Sequence, residues 1–124
     1  MTERPGEINR PPTETRPKIE RVWHGWTAPE NAEEYERLLE EEIFPDIADK
    51  TAEGYRGIRL GRRELDDEVK FITIMRFDSW EAVESFVGED YERAHVPQAA
   101  REVLERWDDR AAHYEIRDRH RPDG

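Results

Sequence analysis

The chain has 124 residues, of which 35% are hydrophobic and 41% are charged, with a formal net charge of −11 and no cysteine. This length fits one domain. The acidic balance disfavours nucleic acids and anionic membranes as partners, because both are bound chiefly through Lys and Arg. A disulfide scaffold is excluded. No apolar run approaches the ~20 residues of a membrane span, and no signal peptide is recognised, so a cytoplasmic location is expected.

The composition predicts a proline-rich tail over residues 1–17, a folded domain over residues 18–118 and a short tail over residues 119–124. Residues 1–17 hold four of the eight prolines, and three arginines there balance three glutamates. Such a segment buries too little apolar surface to offset its ordering entropy, which favours disorder. The net negative charge therefore belongs to the rest of the chain.

The folded part begins with a predicted strand over residues 19–26, in which β-forming residues occupy both alternating faces. Thr27 and Glu30 have the spacing of a capping box, which predicts that a helix starts there. Apolar residues then recur at helical spacing through Ile47. Pro45 is expected to kink or end this helix, because proline has no backbone N–H to donate.

A second and a third strand are predicted over residues 55–65 and 69–77, with a polar reversal of hairpin length between them. A helix follows the third strand with no intervening loop. Asp78 and Ser79 are both good N-cap residues for this helix, and Gly88 interrupts it.

The chain closes with a second helical piece and a fourth strand. Pro97 can start the helical piece, which is predicted to run through Trp107, and residues 111–118 alternate as a strand. The order β-α-β-β-α-β predicts a ferredoxin-like α+β fold, with a four-stranded antiparallel sheet and both helices on one face.

Several predicted strands carry large apolar residues on both faces. In the third strand, Phe71 and Met75 alternate with Ile72 and Ile74. Because the helices cover one face only, the simplest cover for the other is a second copy of the sheet, and a homodimer with face-to-face sheets is expected. A monomer with an exposed apolar sheet is the alternative.

Several stretches of the sequence carry a resemblance to a known family: HGWT at residues 24–27, EEIFPDI at 41–47, GYRGIRLGRRE at 54–64, FITIMRFDSWEAVESF at 71–86 and YERAH at 91–95. They resemble the antibiotic biosynthesis monooxygenase superfamily of dimeric α+β barrels, over about residues 19–117. The resemblance implies a homodimer that binds a small apolar or aromatic ligand. It also implies a cofactor-independent monooxygenase that acts on an aromatic or polycyclic phenolic substrate.

Two histidines are the candidate catalytic residues. In the mechanism that the resemblance implies, His24 or His95 takes a proton from a phenolic substrate, and the anion reacts with O₂ without a metal or flavin. His24 could instead be a satisfied core residue, and His95 could cap a helix or lie at the surface. Aromatic and apolar side chains suit a flat ligand. The candidate substrate-binding residues are Trp23, Trp26, Phe71, Met75 and Phe86.

Two other functions stay open. One is a non-enzymatic ligand-binding or structural dimer, in which the histidines only satisfy the core or cap helices. The other is a haem protein with His95 as axial ligand, because the haem-degrading branch of the superfamily has an aromatic helix residue some ten positions before its histidine, and Phe86 lies nine positions before His95 here. No metal is expected, since no motif spacing specifies a site from His24, His113 and Glu115.

Overall fold

The computed structural model describes residues 18–50, 53–88, 90–120 and 122. The predicted tail over residues 1–17 lies outside them. A 3₁₀ turn over Pro29–Asn31 precedes the first α-helix, and a π-helical turn over Leu39–Ile43 joins it to the second. The regular elements are β1 (Lys18–Thr27), α1 (Ala32–Leu38), α2 (Phe44–Lys50), β2 (Tyr55–Glu64), β3 (Val69–Phe77), α3 (Trp80–Val87), α4 (Gln98–Arg101), β4 (Arg106–Trp107) and β5 (Ala112–Ile116).

The strands form one antiparallel sheet in the order β2-β3-β1, and β4 and β5 share the second edge of β1. β4 pairs with Gly25 and Trp26, whereas β5 pairs with residues 18–22. The strand predicted over residues 111–118 is β5, and β4 adds a fifth strand to the four predicted, with residues 108–111 between the two. The ferredoxin-like α+β fold predicted from the sequence is confirmed.

The two faces of the sheet differ in what covers them. In β3 the odd-numbered residues from Val69 to Phe77 are all buried, whereas the residues between them are not. Odd-numbered residues of β1 share this covered side, since Ile19 pairs with Phe77 and Gly25 with Phe71. We call this side the helix face and the opposite side the open face.

The core on the helix face consists of two apolar clusters. The first includes Tyr35 and Phe71, whose rings meet edge to face with centroids 4.9 Å apart. The second includes Met75 and Phe77. Thr73, which lies between Phe71 and Met75 on β3, is buried and belongs to neither cluster.

The chain enters its first helix differently from the prediction. Thr27 is the last residue of β1, and Ala28 is the N-cap of the 3₁₀ turn, without a side-chain hydrogen bond. The predicted capping box of Thr27 and Glu30 is therefore wrong.

Pro45 does not end the helix, because it is the second residue of α2, which continues to Lys50. Proline lacks an N–H and crowds the carbonyl four residues before it. The π-helical turn directly before α2 changes the local hydrogen-bond pairing, and the helical path continues past the proline.

The second half follows the prediction at α3 and departs from it after α4. Ser79 caps α3, because its Oγ accepts a hydrogen bond from the Ala82 N–H at 3.1 Å. Gly88 ends this helix with a φ of 90°. α4 ends at Arg101, and Trp107 lies in β4, so the helix predicted to run through Trp107 is wrong. Antiparallel pairing with Gly25 and Trp26 of β1 holds Arg106 and Trp107 in a strand conformation.

Candidate functional site

His24 lies on the open face of β1, where Asp108 holds it. The Asp108 Oδ2 accepts a hydrogen bond from the His24 backbone N–H at 3.1 Å and lies 2.9 Å from Nδ1. This contact directs an Nδ1 proton toward the carboxylate and leaves Nε2 as the nitrogen that can accept. The His24 side chain is 29% exposed. Its ring is therefore held in one orientation on the open face.

Trp26 lies beside His24 on the same face, with ring centroids 6.2 Å apart. The Arg106 guanidinium lies 4.1 Å from the Trp26 ring centroid, and the Lys70 ammonium lies 5.4 Å from it. Arg106 is held in turn by two hydrogen bonds to Glu68, of 2.9 and 3.1 Å. These cation–π contacts fix the tryptophan, and Arg106 covers part of the ring that a flat ligand would use.

His95 is exposed, in the irregular segment between α3 and α4. Phe86, which precedes it in the sequence, packs into the second apolar cluster. The Phe86 ring stacks on Tyr55 at 6.5 Å and lies 5.6 Å from the Phe77 ring. The described ring contacts of Phe86 are thus with core residues rather than with His95.

The remaining predicted binding residues lie on the helix face. Phe71 and Met75 are buried in the first and second clusters, respectively. Trp23 packs against the first cluster, and its Nε1 donates a hydrogen bond to the Asp108 carbonyl at 2.8 Å. The sheet therefore separates the predicted set: His24 and Trp26 share the open face, whereas Trp23, Phe71 and Met75 do not.

A polar pair that was not singled out in the sequence lies on the helix face, next to Met75 of the second cluster. Arg21 on β1 stands directly opposite His113 on β5. Arg21 is only 8% exposed, and its Nη2 donates to the carbonyls of Tyr91 and Arg93 at 3.4 and 3.2 Å. The Nε of Arg21 and both ring nitrogens of His113 are buried and have no hydrogen-bond partner in the described part of the chain. The feature of the sequence that indicates this pair is an arginine two residues after Ile19, on the face of β1 that is buried.

Aromatic rings surround His113. Tyr91 meets it edge to face at 5.2 Å, and the Trp80 ring lies 5.9 Å away. Trp80 is positioned by Glu115, whose Oε2 accepts from its Nε1 at 3.0 Å. Burial and the positive charge of Arg21 lower the pKa of His113 to about 4, so the imidazole is neutral near pH 7. Burial lowers the pKa of Arg21 to about 10, which leaves it charged.

His24 and His113 lie on opposite faces of the sheet, so they cannot share a metal ion with Glu115. Across residues 18–50, 53–88 and 90–120, no group of three or more His, Asp or Glu side chains has the arrangement of a metal site. None of the described helices is long and apolar enough to span a membrane.

An open depression of about 790 Å³ lies beside the start of α3. Its wall includes the ion pair of Arg56 with Asp78. The depression is open to solvent, whereas Arg21 and the ring nitrogens of His113 are buried. None of the candidate catalytic or binding residues lines the depression. Its lining residues are Glu53, Gly54, Tyr55, Arg56, Asp78, Ser79, Glu81, Ala82 and Ser85.

No family model and no curated protein matches the chain. Solved structures do. A Bacillus cereus protein assigned provisionally to the antibiotic biosynthesis monooxygenases matches with a TM-score of 0.58 and 13% identity, over 85% of this chain and 98% of its own. A conserved protein of Methanosarcina mazei matches with a TM-score of 0.59 and 14% identity, over 84% and 97%.

A third similar structure is a Streptomyces coelicolor monooxygenase in complex with the ligand nanaomycin D. It matches with a TM-score of 0.54 and 14% identity, over 94% of this chain and 99% of its own. The chain shares the fold of these three structures, one of them a provisionally assigned antibiotic biosynthesis monooxygenase, and the resemblance noted in the sequence is confirmed for the fold.

Proposed function

We propose that this chain is a homodimeric, cofactor-independent monooxygenase that binds an aromatic or polycyclic phenolic substrate on the helix face, beside Arg21 and His113. The observation that carries this proposal is the pair of Arg21 and His113. A buried polar group without a partner costs about 1–3 kcal/mol. A ligand that pairs with these groups removes that cost.

The surroundings of the pair suit a flat ligand with a polar edge. Trp80 and Tyr91 supply ring surface next to His113, and Phe71 and Met75 lie on the same face of the sheet. Small-molecule sites are mostly apolar with a few convergent polar groups. The similar Streptomyces coelicolor monooxygenase, which was solved with nanaomycin D, supports a small-molecule ligand.

The proposed reaction needs no added reductant. A base takes the proton of a phenol, and the electron-rich ring system of the resulting anion reacts with O₂. One oxygen atom becomes a ring carbonyl, and the other leaves as water, which takes up the hydrogen lost from the ring carbon and the proton that the base removed from the phenol. The substrate supplies all the electrons, so neither a metal nor a flavin takes part.

Three histidines are candidates for the base. His113 faces the aromatic rings beside Arg21, His24 is oriented by Asp108 on the open face, and His95 is exposed. The location of His113 favours it over the other two, because a base must lie within hydrogen-bond reach of the substrate hydroxyl.

The test combines oxygen uptake with binding. We expect anthrone-type phenols to consume O₂ with the purified protein, and to quench the tryptophan fluorescence to which Trp80 contributes. His113→Gln should lower the rate of uptake by roughly 10²-fold or more. His120→Gln, which removes an exposed histidine whose ring is hydrogen-bonded to Asp118, is the matched control.

The outcomes separate the candidate functions. Quenching without oxygen uptake would show a non-enzymatic binding protein. A sharpened haem absorption band with added hemin, lost in His95→Ala, would show a haem protein instead. A loss of uptake in His24→Gln but not in His113→Gln would move the site to the open face.

A further inference from the structure

We infer that a second copy of this chain docks on the open face with its two-fold axis along the strands, so that Arg76 of each copy forms an ion pair with Glu20 of the other. This inference rests on the homodimer of the proposed function and assigns the register of its interface. The two ion pairs fix how the copies are aligned, and the apolar centre of the face supplies the buried surface.

The half of the open face on β2 and β3 carries only positive charge. Its strand residues include no carboxylate. Arg59, Arg63 and Arg76 are exposed, and none of the three has an ion pair or a side-chain hydrogen bond within the described part of the chain. This half therefore presents free cations on a chain whose net charge is −11. Its four cations are Arg59, Arg63, Lys70 and Arg76.

The other half of the open face, on β1, β4 and β5, offers one free carboxylate. Glu20 stands directly opposite Arg76 in the register of β1 and β3, yet the two side chains form no ion pair within the described chain. Glu20 is thus available to a cation of another copy. The remaining charged or titratable strand side chains of this half already have partners: Lys18 with Asp78, His24 with Asp108, and Arg106 with Glu68.

An apolar centre between the two halves places the axis. Ile74 and Val22 pair directly across β3 and β1, and Ile72 follows on the same face. Sheets that pack face to face lie about 10 Å apart and keep their strand directions within about 30° of each other. An axis through this centre buries the isoleucines, and residues on β3 and β1 then face each other across the interface.

Charge selects between the two axes that lie in the plane of such an interface. An axis along the strands exchanges β3 with β1, so Arg76 lies over Glu20 of the second copy. An axis across the strands exchanges the two ends of each strand, so Lys70 lies over Arg76 of the second copy. Like charges that meet across an interface are strongly disfavoured, and complementary charges fix its register. The axis along the strands is therefore the favoured one.

The other cations fit the same arrangement. Lys70 lies toward Trp26 of the second copy, and the face of a tryptophan attracts a cation. Arg63 lies toward Arg106 of the second copy, whose guanidinium donates two hydrogen bonds to Glu68. No two free cations therefore oppose each other.

Charge reversal in separate chains tests the pairing. Arg76→Glu and Glu20→Arg each place two like-charge pairs across a two-fold interface. We expect each variant to dimerise more weakly than the wild-type protein, by roughly tenfold or more in sedimentation equilibrium. An equimolar mixture should regain the wild-type dissociation constant, because each introduced charge then faces the opposite one. Native mass spectrometry should show the mixed dimer.

The mixture separates a contact between copies from a contact within one chain. Arg76 and Glu20 are also neighbours in their own sheet, but mixing two chains restores no internal pair. Arg101→Glu on α4 and Glu84→Arg on α3 make the same charge changes at exposed positions of the helix layer, and they should leave dimerisation unchanged. Arg76→Gln and Glu20→Gln cover a reversed variant that does not fold, since their mixed dimer keeps one native ion pair that neither homodimer has.

A mixture that associates as weakly as its separate components would overturn the inference. Tighter self-association of Arg76→Glu, which the axis across the strands predicts, would overturn it as well, and so would a wild-type protein that stays monomeric. Oxygen uptake by the wild-type protein judges the proposed monooxygenase activity independently of these results.

Discussion

Arg21 and His113 occupy positions where the fold itself calls for apolar side chains. Along β1, Arg21 lies between Ile19, which belongs to the second cluster, and Trp23, which packs against the first. A buried arginine with an unpaired nitrogen destabilises a domain, and a hydrophobic residue of similar volume is often more stable. Groups with strongly perturbed pKa values cluster at functional sites. We therefore interpret the pair as functional.

The titration of His113 gives a prediction for stability. Its folded pKa of about 4 lies below the ordinary value of 6.5. Between these values the unfolded chain binds a proton that the folded chain does not, so stability falls as the pH is lowered through this window. His113→Gln, which does not titrate, should lose less stability than the wild-type protein between about pH 7 and pH 4.5.

Urea unfolding at the two pH values measures this difference. Carboxylates whose pKa is lowered, such as Asp78 beside Arg56, lose their contribution as the pH falls below the ordinary range. They are present in both proteins, so their effect cancels. His120→Gln should keep the wild-type slope, and identical slopes in wild type and His113→Gln would contradict the pKa assigned to His113.

At the scale of elements, the turn into β2 depends on one close approach. Gly54 has a φ of +94°, and a Cβ there would lie 2.6 Å from the Ala82 Cβ on α3. Gly54→Ala should therefore combine backbone strain with a steric clash and destabilise the fold by about 1–3 kcal/mol or more. Gly57→Ala is the matched control, because Gly57 also has a positive φ of +119° but nothing within 4 Å of its Cβ position.

Urea unfolding of the two variants separates strain from clash. The strain is common to both, so the excess destabilisation of Gly54→Ala reports the packing of α3 against this turn. Equal losses in both variants would mean that Ala82 moves away at no cost.

The strongly periodic elements could be predicted from the sequence, because their apolar residues face one core. Trp107 could not, since its strand conformation comes from pairing with Gly25 of β1. The contact of His24 with Asp108 joins residues 84 positions apart, which no local pattern encodes. Arg21 was missed because a charged residue in a strand is usually solvent-facing, and its burial is set by the helix layer and the segment after α3.

At the scale of the whole molecule, the open face lacks a cover within the described chain. Ile72, Ile74 and Val22 are adjacent across β3 and β1 on this face. Tyr114 on β5 is 57% exposed and lies on the same side. Contiguous apolar surface of this kind marks an interaction site. A two-fold related copy of the sheet would cover it, as proposed above.

Ile74→Glu tests this proposed dimer directly. Ile74 pairs with Val22 on one side and with Arg59 on the other, so a carboxylate there would be buried at the centre of a face-to-face interface. Taking the new carboxylate and the neighbouring Arg59 out of water costs several kcal/mol per ion, which their mutual attraction repays only with excellent geometry. About 3 kcal/mol corresponds to a roughly hundredfold weaker association.

We expect the wild-type protein to be a dimer at micromolar concentration in light scattering. Ile74→Glu should be a monomer in light scattering and remain folded by circular dichroism. Leu65→Glu, in the exposed reversal between β2 and β3, should stay dimeric, whereas a monomeric wild-type protein or a dimeric Ile74→Glu would exclude the open face as the interface.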